Sequence, residues 1–346
     1  MSDSDPECVA VFAGLDVGAR EIVVARMGRN EKSVTMASFA NHSAGHSALM
    51  AFLLRGNERV RVCLEASGNY SIDVALVLHG HRQLEVSMVN PRRARRFAES
   101  LGDRSKTDPV DARGLCQYAA RMPWEPWRPP RRAALRLRAI TRAIEDLVVM
   151  HTQEKNREHA LKASVTLPTL LLRERQRHQR YLERRIQQLR REARRLIAKD
   201  PELDHRFRLM LTVPGVGDTS ALHILGELAV LSESLDARQW VAFSGLDPSL
   251  FVSGSSVEKR PRISRGGSRH LRHALYMPAL VALQHEPHLR AFYHRLVSRG
   301  KARMQAVIAV MRKLLHGLFA MFRSNESYDG AKLCGESVPN AAPACA

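Results

Sequence analysis

Apolar residues in the first third of the chain come in short runs rich in Val, Ile, Leu and Met, at 8–17, 21–28, 33–39, 59–65 and 84–90. Runs of this length, broken by Gly18-Ala19-Arg20 and Gly28-Arg29-Asn30, predict strands, the first three joined as a meander. Helical spacing takes over at about 44–55, 70–80, 91–101 and 108–121. Pro123, Pro126, Pro129 and Pro130, with Trp124 and Trp127 between them, predict a stiff non-helical linker. Beyond it, Leu137, Ile140, Ile144, Leu147 and His151 recur in steps of three and four, as do Leu182, Ile186, Leu189, Ala193 and Leu196. That is the seam spacing of a coiled coil, so 131–198 reads as two long antiparallel helices turning near Pro168.

The third region opens on Pro214-Gly215-Val216-Gly217 between two short helices, in the manner of a helix-hairpin-helix element. Glycines there let backbone N–H groups approach a phosphate, and the next helix N-terminus adds a favourable dipole. A helix is predicted at 236–244, a polar Gly/Ser-rich stretch at 247–267, and helices at 268–283, 287–298 and 302–323. The expected fold class is multidomain, α/β plus all-α. Three consecutive strands followed by alternating helices and strands give a ribonuclease H-like domain over 1–125. An antiparallel coiled-coil hairpin follows at 126–200, then a helical domain at 201–325 and a disordered tail at 326–346.

Composition adds a partner. The 346 residues carry 54 Lys and Arg against 35 Asp and Glu, a net charge of +19, which points to a polyanion. Residues 171–200 alone hold ten arginines and Lys199 against four acids. Such a face touches phosphates or is the solvated side of a dimerisation element, and both uses can coexist. The five cysteines show no C-x-x-C pairing, so reduced, buried thiols are expected rather than disulfides or zinc. The acidic N-terminus predicts no signal peptide, and no apolar run is expected to approach the roughly 20 residues of a membrane span. A cytoplasmic protein is expected.

Against that basic background stand four carboxylates. Asp16 and Glu65 each end a strand-like run, and Asp108 and Asp111 lie three apart at the start of a helix. Two acids at i and i+3 share a helix face. Converged, the four would need a hard cation, and Mg²⁺ suits oxygen donors. A bland alternative makes Asp108 a helix N-cap with Asp111 its capping-box companion; it leaves Asp16 and Glu65 unexplained. A second candidate is Ser253-Gly254-Ser255-Ser256 followed by Lys259, Arg260, Arg262, Arg265, Arg269, His270, Arg272 and His273. Guanidinium groups beside an exposed hydroxyl suit attack on phosphate. From composition alone, a flexible phosphate-binding loop without covalent role is the favoured reading of that stretch, and its arginines stay unranked.

Gly14-Leu15-Asp16-Val17, Glu65-Ala66-Ser67-Gly68-Asn69-Tyr70 and Lys106-Thr107-Asp108-Pro109-Val110-Asp111-Ala112 resemble three motifs of one insertion-sequence family. It is the "IS one-ten" DEDD transposase family, related to the Piv/MooV DNA invertases. Pro214-Gly215-Val216-Gly217, Phe243-Ser244-Gly245-Leu246, Ser253-Gly254-Ser255-Ser256 and Leu271-Arg272-His273-Ala274-Leu275-Tyr276 resemble its C-terminal transposase domain, in the same order. The likeness covers about 8–322. It implies a RuvC-like domain with the tetrad Asp16, Glu65, Asp108 and Asp111 as Mg²⁺ ligands, and Ser253 as nucleophile. It also implies donor and target DNA, a bridge non-coding RNA, and a homo-oligomer arranged as a dimer of dimers. The expected function is a transposase or site-specific recombinase working through a phosphoserine intermediate, without membrane attachment. The alternatives are a RuvC-like junction nuclease using water, and a non-enzymatic nucleic-acid scaffold.

Overall fold

The computed structural model describes residues 9–30, 33–56, 58–66, 68–102, 107–163, 169–253 and 257–334, with side chains described throughout except at 10, 69, 250–253 and 257–261. The chain divides into two compact units, Met1–Pro129 and Pro130–Ala346.

In the first unit, strands β1 (Val9–Val17), β2 (Glu21–Gly28), β3 (Thr35–Ala40), β4 (Arg59–Glu65) and β5 (Leu84–Val89) form one sheet in the order β3-β2-β1-β4-β5. The meander β1-β2-β3 is antiparallel, as the short turns require, whereas β1-β4 and β4-β5 are parallel. Side chains alternate across the sheet. Val11, Ala13, Leu15, Ile22, Val24, Val62 and Leu64 form one face, packed with Leu49, Phe52 and Leu53 of α1 (Ser43–Leu53) and Val74, Ala75 and Leu78 of α2 (Asn69–His79). Phe12, Val23, Ala25 and Cys63 form the other, covered by Ala112, Leu115, Cys116 and Ala119 of α4 (Asp108–Arg121). Helix α3 (Pro91–Ser100) adds Phe97, whose ring meets Tyr118 edge-on at 5.1 Å. The proline-rich stretch is non-helical as predicted, and it lies on this unit: Trp127 N–H donates to Val86 at 2.7 Å.

The second unit begins with α5 (Arg132–Lys162) and α6 (Thr169–Ala198) packed on each other. Of the predicted seam, Leu137, Ile144, Leu182, Ile186 and Ala193 are buried, whereas Ile140, Leu147, His151, Leu189 and Leu196 are half-buried. Glu154 is buried too and stays a carboxylate because Arg157 (2.7 Å) and Arg175 (2.8 Å) close on it from both helices. Helices α7 (Pro201–Leu211) and α8 (Asp218–Leu228) flank the Pro-Gly-x-Gly turn. Gly215 has φ +94°, and a Cβ there would lie 2.6 Å from the Pro278 carbonyl, so this glycine serves a turn and a close approach to α10. Then come α9 (Ala237–Ser244), α10 (Arg269–His285), α11 (Pro287–Ser298) and α12 (Arg303–Ser324).

Three features depart from the sequence reading. Within 247–267 the chain forms an antiparallel ribbon, β6 (Pro248–Ser253) with β7 (Val257–Ile263), so this region is not purely helical. These strands, PSLFVS and VEKRPRI, each carry a proline, and the second is mostly charged, so neither shows the apolar run that marked β1 to β5. Helix α12 is, by length and composition alone, apolar enough to cross a bilayer, contrary to the expectation that no run would be. Its apolar side is spent inside the unit, on Val310, Met311, Leu314, Leu315 and Leu318. A short helix, α13 (Gly330–Cys334), stands in the stretch expected to be a disordered tail, with Leu333 packed on the same core; 335–346 lie outside the described residues.

Candidate active site

The parallel pairing of β1 and β4 runs in register through Leu15 and Leu64, so Asp16 and Glu65 follow side by side at the strand ends. Neighbouring strands are about 4.8 Å apart. By the period of two, Asp16 shares its face with Phe12 and Gly14, and Glu65 with Cys63: the face that α4 covers. Both ends are held by backbone bonds, Ala66 N–H to Val89 (2.9 Å) and Gly18 N–H to Glu21 (2.9 Å).

Helix α4 reaches that face because residue 14 has no side chain. A Cβ there would lie 2.1 Å from the Cys116 nitrogen and 2.2 Å from the Ala112 carbonyl. The Cys116 thiol donates to the Phe12 carbonyl at 3.3 Å. Phe12 and Gly14 thus both meet the Ala112–Cys116 turn of α4. Its first turn carries Asp108 and Asp111. The helix cap is Thr107, without a side-chain cap bond, so Asp108 and Asp111 do not form the capping box. Neither carboxylate bonds to a described residue, whereas Asp16 and Glu65 each hold a polar interaction.

The donor set is four carboxylates and suits a hard, oxygen-seeking divalent cation rather than zinc. Among the described residues, no group of three or more His, Cys, Asp or Glu side chains is close enough to hold a metal ion as it stands. Asp16 and Glu65 share one sheet rim, and Asp108 and Asp111 stand in the first turn of the helix that covers that face. Cys63 and Cys116, beneath that rim, are no donors: burial pushes both thiols up to about 12.

In the second unit, Ser253 ends β6, paired in register with Val257; its side chain and residues 254–256 lie outside the described residues, as does the Arg260 side chain. The basic stretch that follows can now be sorted. Arg272 is consumed internally, donating to the Ser244 (2.8 Å) and Gly267 (3.2 Å) carbonyls. His270 and His273 (3.0 Å) both contact Glu145 of α5. Burial pushes the Glu145 carboxyl up, but the His270 hydrogen bond and the charges of His270, His273 and His223 together hold it below the usual range. Arg262, Arg265 and Arg269 are exposed.

Two polar residues escaped the sequence reading. Glu227, only 1% exposed, accepts from Arg142 Nε (2.7 Å) and Nη2 (3.0 Å) and from the Ser268 hydroxyl (2.7 Å). Its one signal was a lone charge in the apolar run Ala221–Leu228. Glu145 had none, because an acid on a long arginine-rich helix reads as surface.

Comparison with known proteins agrees with the order of these elements. A family model described as "Transposase" matches residues 13–167, and one described as "Transposase IS116/IS110/IS902 family" matches 207–294. The chain is 32% identical over 298 residues to the pilin gene-inverting protein of Moraxella bovis, covering 84% of this chain and 90% of that protein. The Moraxella lacunata protein of the same name is 31% identical over the same shares. A transposase for insertion sequence element IS1328 of Yersinia enterocolitica is 25% identical over 224 residues, 58% of this chain and 64% of that one. With its acid-bearing sheet rim and helical second unit matched in order, this chain belongs to the IS110 family of transposases and recombinases, enzymes that act on DNA.

Proposed function

We propose that this chain moves an insertion sequence by cutting and rejoining DNA strands, with Ser253 as the attacking hydroxyl and Asp16, Glu65, Asp108 and Asp111 as the ligands of Mg²⁺. The sheet order β3-β2-β1-β4-β5 supports a RuvC-like domain for the acids. The observation that supports the reading is Asp16 and Glu65 in register on the α4 face, with Asp108 and Asp111 in the first turn of that helix and outside a capping box. When bound, the metal would offset the charge that builds up on the phosphate and on the leaving oxygen.

The chain's own steps follow. The Ser253 oxygen bonds to phosphorus as the bond to the 3′ oxygen breaks; the serine proton leaves to solvent and the departing oxygen takes one up as a 3′-hydroxyl. The phosphoserine ester keeps the phosphoester energy, so rejoining to another 3′-hydroxyl releases the serine without ATP. The +19 charge and the arginines of α6 support binding of donor DNA, target DNA and a bridge RNA. The homo-oligomer, a dimer of dimers working in the cytoplasm, rests on the family likeness.

The test is a strand-exchange reaction with co-purified RNA, donor and target DNA, and Mg²⁺. Asp16→Asn and Ser253→Ala should each abolish recombination, and trapped wild-type reactions should yield DNA attached to Ser253. Cleavage that survives Ser253→Ala would instead make this a nuclease using water. Indifference to chelation and to all four acids would leave only a nucleic-acid scaffold.

A further inference from the structure

At the foot of the β6–β7 ribbon lies a cleft of about 700 Å³, floored by Leu246, Leu296 and Ile308. Its charged lining is entirely basic: Arg262 and Arg265 from the end of β7 and the turn after it, Lys301 from the loop before α12, and Arg312 from α12. None of the four is ion-paired with a described carboxylate. The Arg312 Nε is buried and has no hydrogen-bond partner. A buried guanidinium donor left without a partner costs free energy unless a ligand supplies an acceptor.

Arg265 is held there at a conformational cost. It has φ +53°, a left-handed backbone that a side-chain-bearing residue seldom adopts. Its N–H is fixed to the Gly245 carbonyl at 3.2 Å, and Ser264 beside it bonds Asp247 and so anchors the turn. Strained backbone of this kind collects at binding sites. Arg272 is held below the usual arginine range by its burial and then by the positive charge of Arg265.

We propose that this cleft binds a DNA backbone phosphate away from the reacting bond, the ligand class resting on the DNA-joining reading above. Pro248 lines the cleft and Ser253 ends the same strand, five residues on. At about 3.3 Å per residue, the serine stands roughly 17 Å away. With about 3.4 Å of helix axis per phosphate on one strand, the bound phosphate lies some five nucleotides from the one attacked. Arg265, Lys301 and Arg312 are then positioning residues that fix where along the strand the serine falls.

The test uses full-length protein and a short labelled DNA duplex in chelator, so that no chemistry intervenes, with affinity measured across salt concentrations. Each phosphate contact contributes about 0.9 to the slope of log affinity against log salt. Arg265→Gln and Lys301→Gln should each lower that slope by about one and weaken binding several-fold. Arg208→Gln, an exposed arginine outside the cleft, should change neither. Because Arg312→Gln risks folding, Arg312→Lys should keep the slope while Arg312→Gln loses it with an unchanged circular-dichroism spectrum. Wild-type slopes in Arg265→Gln and Lys301→Gln would overturn the proposal. Reduced slopes alongside cleavage that survives Ser253→Ala would uphold the cleft and sink only the serine chemistry.

Discussion

Arg142 on α5 grips Glu227 on α8 with two hydrogen bonds, Nε to Oε1 at 2.7 Å and Nη2 to Oε2 at 3.0 Å. Glu227 is buried while Arg142 stays 37% exposed, so the pair works as a cap that seals an acid into the core. Removing the arginine leaves the buried carboxylate with one hydrogen bond from a described residue, the Ser268 hydroxyl, and with the charges of Arg138 and His270 near it. Arg142→Ala should therefore cost about 3 kcal/mol, the low end for breaking a buried pair, since water reaches part of the site. Denaturant titration measures it; a loss below about 0.5 kcal/mol would mean Glu227 is solvated in solution.

Gly14→Ala should separate α4 from β1. Its methyl would meet backbone at 2.1 Å, which no rotamer change relieves. Overpacking of this kind costs about 1–3 kcal/mol. The displaced turn carries Asp108 and Asp111, so strand exchange should fall by far more than stability does. A thermal melt and an activity assay on one preparation decide it, and wild-type activity would contradict the packing.

Cys63 and Cys116 should resist alkylation in the folded protein. Both thiols are buried and pushed up to about 12, so at pH 8 almost no thiolate exists to react. Mass spectrometry after iodoacetamide treatment should find both unmodified natively and both labelled in urea. Rapid native labelling would show that α4 lifts away readily.

Acid should weaken the second unit in two stages. His223 lies below its ordinary 6.5 because burial favours the neutral ring, and Arg190, His270 and His273 add repulsion that Glu145 only partly offsets. A depressed folded value means stability is complete above 6.5 and lost as pH falls through the lower native one. Glu145, depressed below 4.5, adds a second loss at lower pH by the same sign. Melting temperature should fall between pH 7 and 5, and His223→Gln should abolish that first decline. A flat profile in wild type would refute it.

How much of this was legible beforehand depends on period and spacing. The five strands of the first unit and the seam of α5 and α6 repeat often enough to be read directly. Asp16 and Glu65 were findable because each closes an apolar run, which fixes it at a strand end. Nothing local revealed that α4 packs on β1, for that follows from Gly14 and the Cys116–Phe12 bond, about a hundred residues apart in sequence. The ribbon was missed because its strands carry proline and charge instead of an apolar run, and the basic cleft because Lys301 and Arg312 lie far from Arg265 in sequence. Glu145 and Glu227 looked like surface charges, since one sequence cannot show which helix face will be buried.

Order of synthesis gives the sheet a last consequence. The central strand is translated first, yet its parallel neighbour and its covering helix emerge only much later, with α4 beginning at Asp108. A nascent or truncated polypeptide thus presents β1 bare, its thiol clasp and helical lid missing. A copy terminated before Asp108 would leave that apolar face uncovered and be an aggregation hazard.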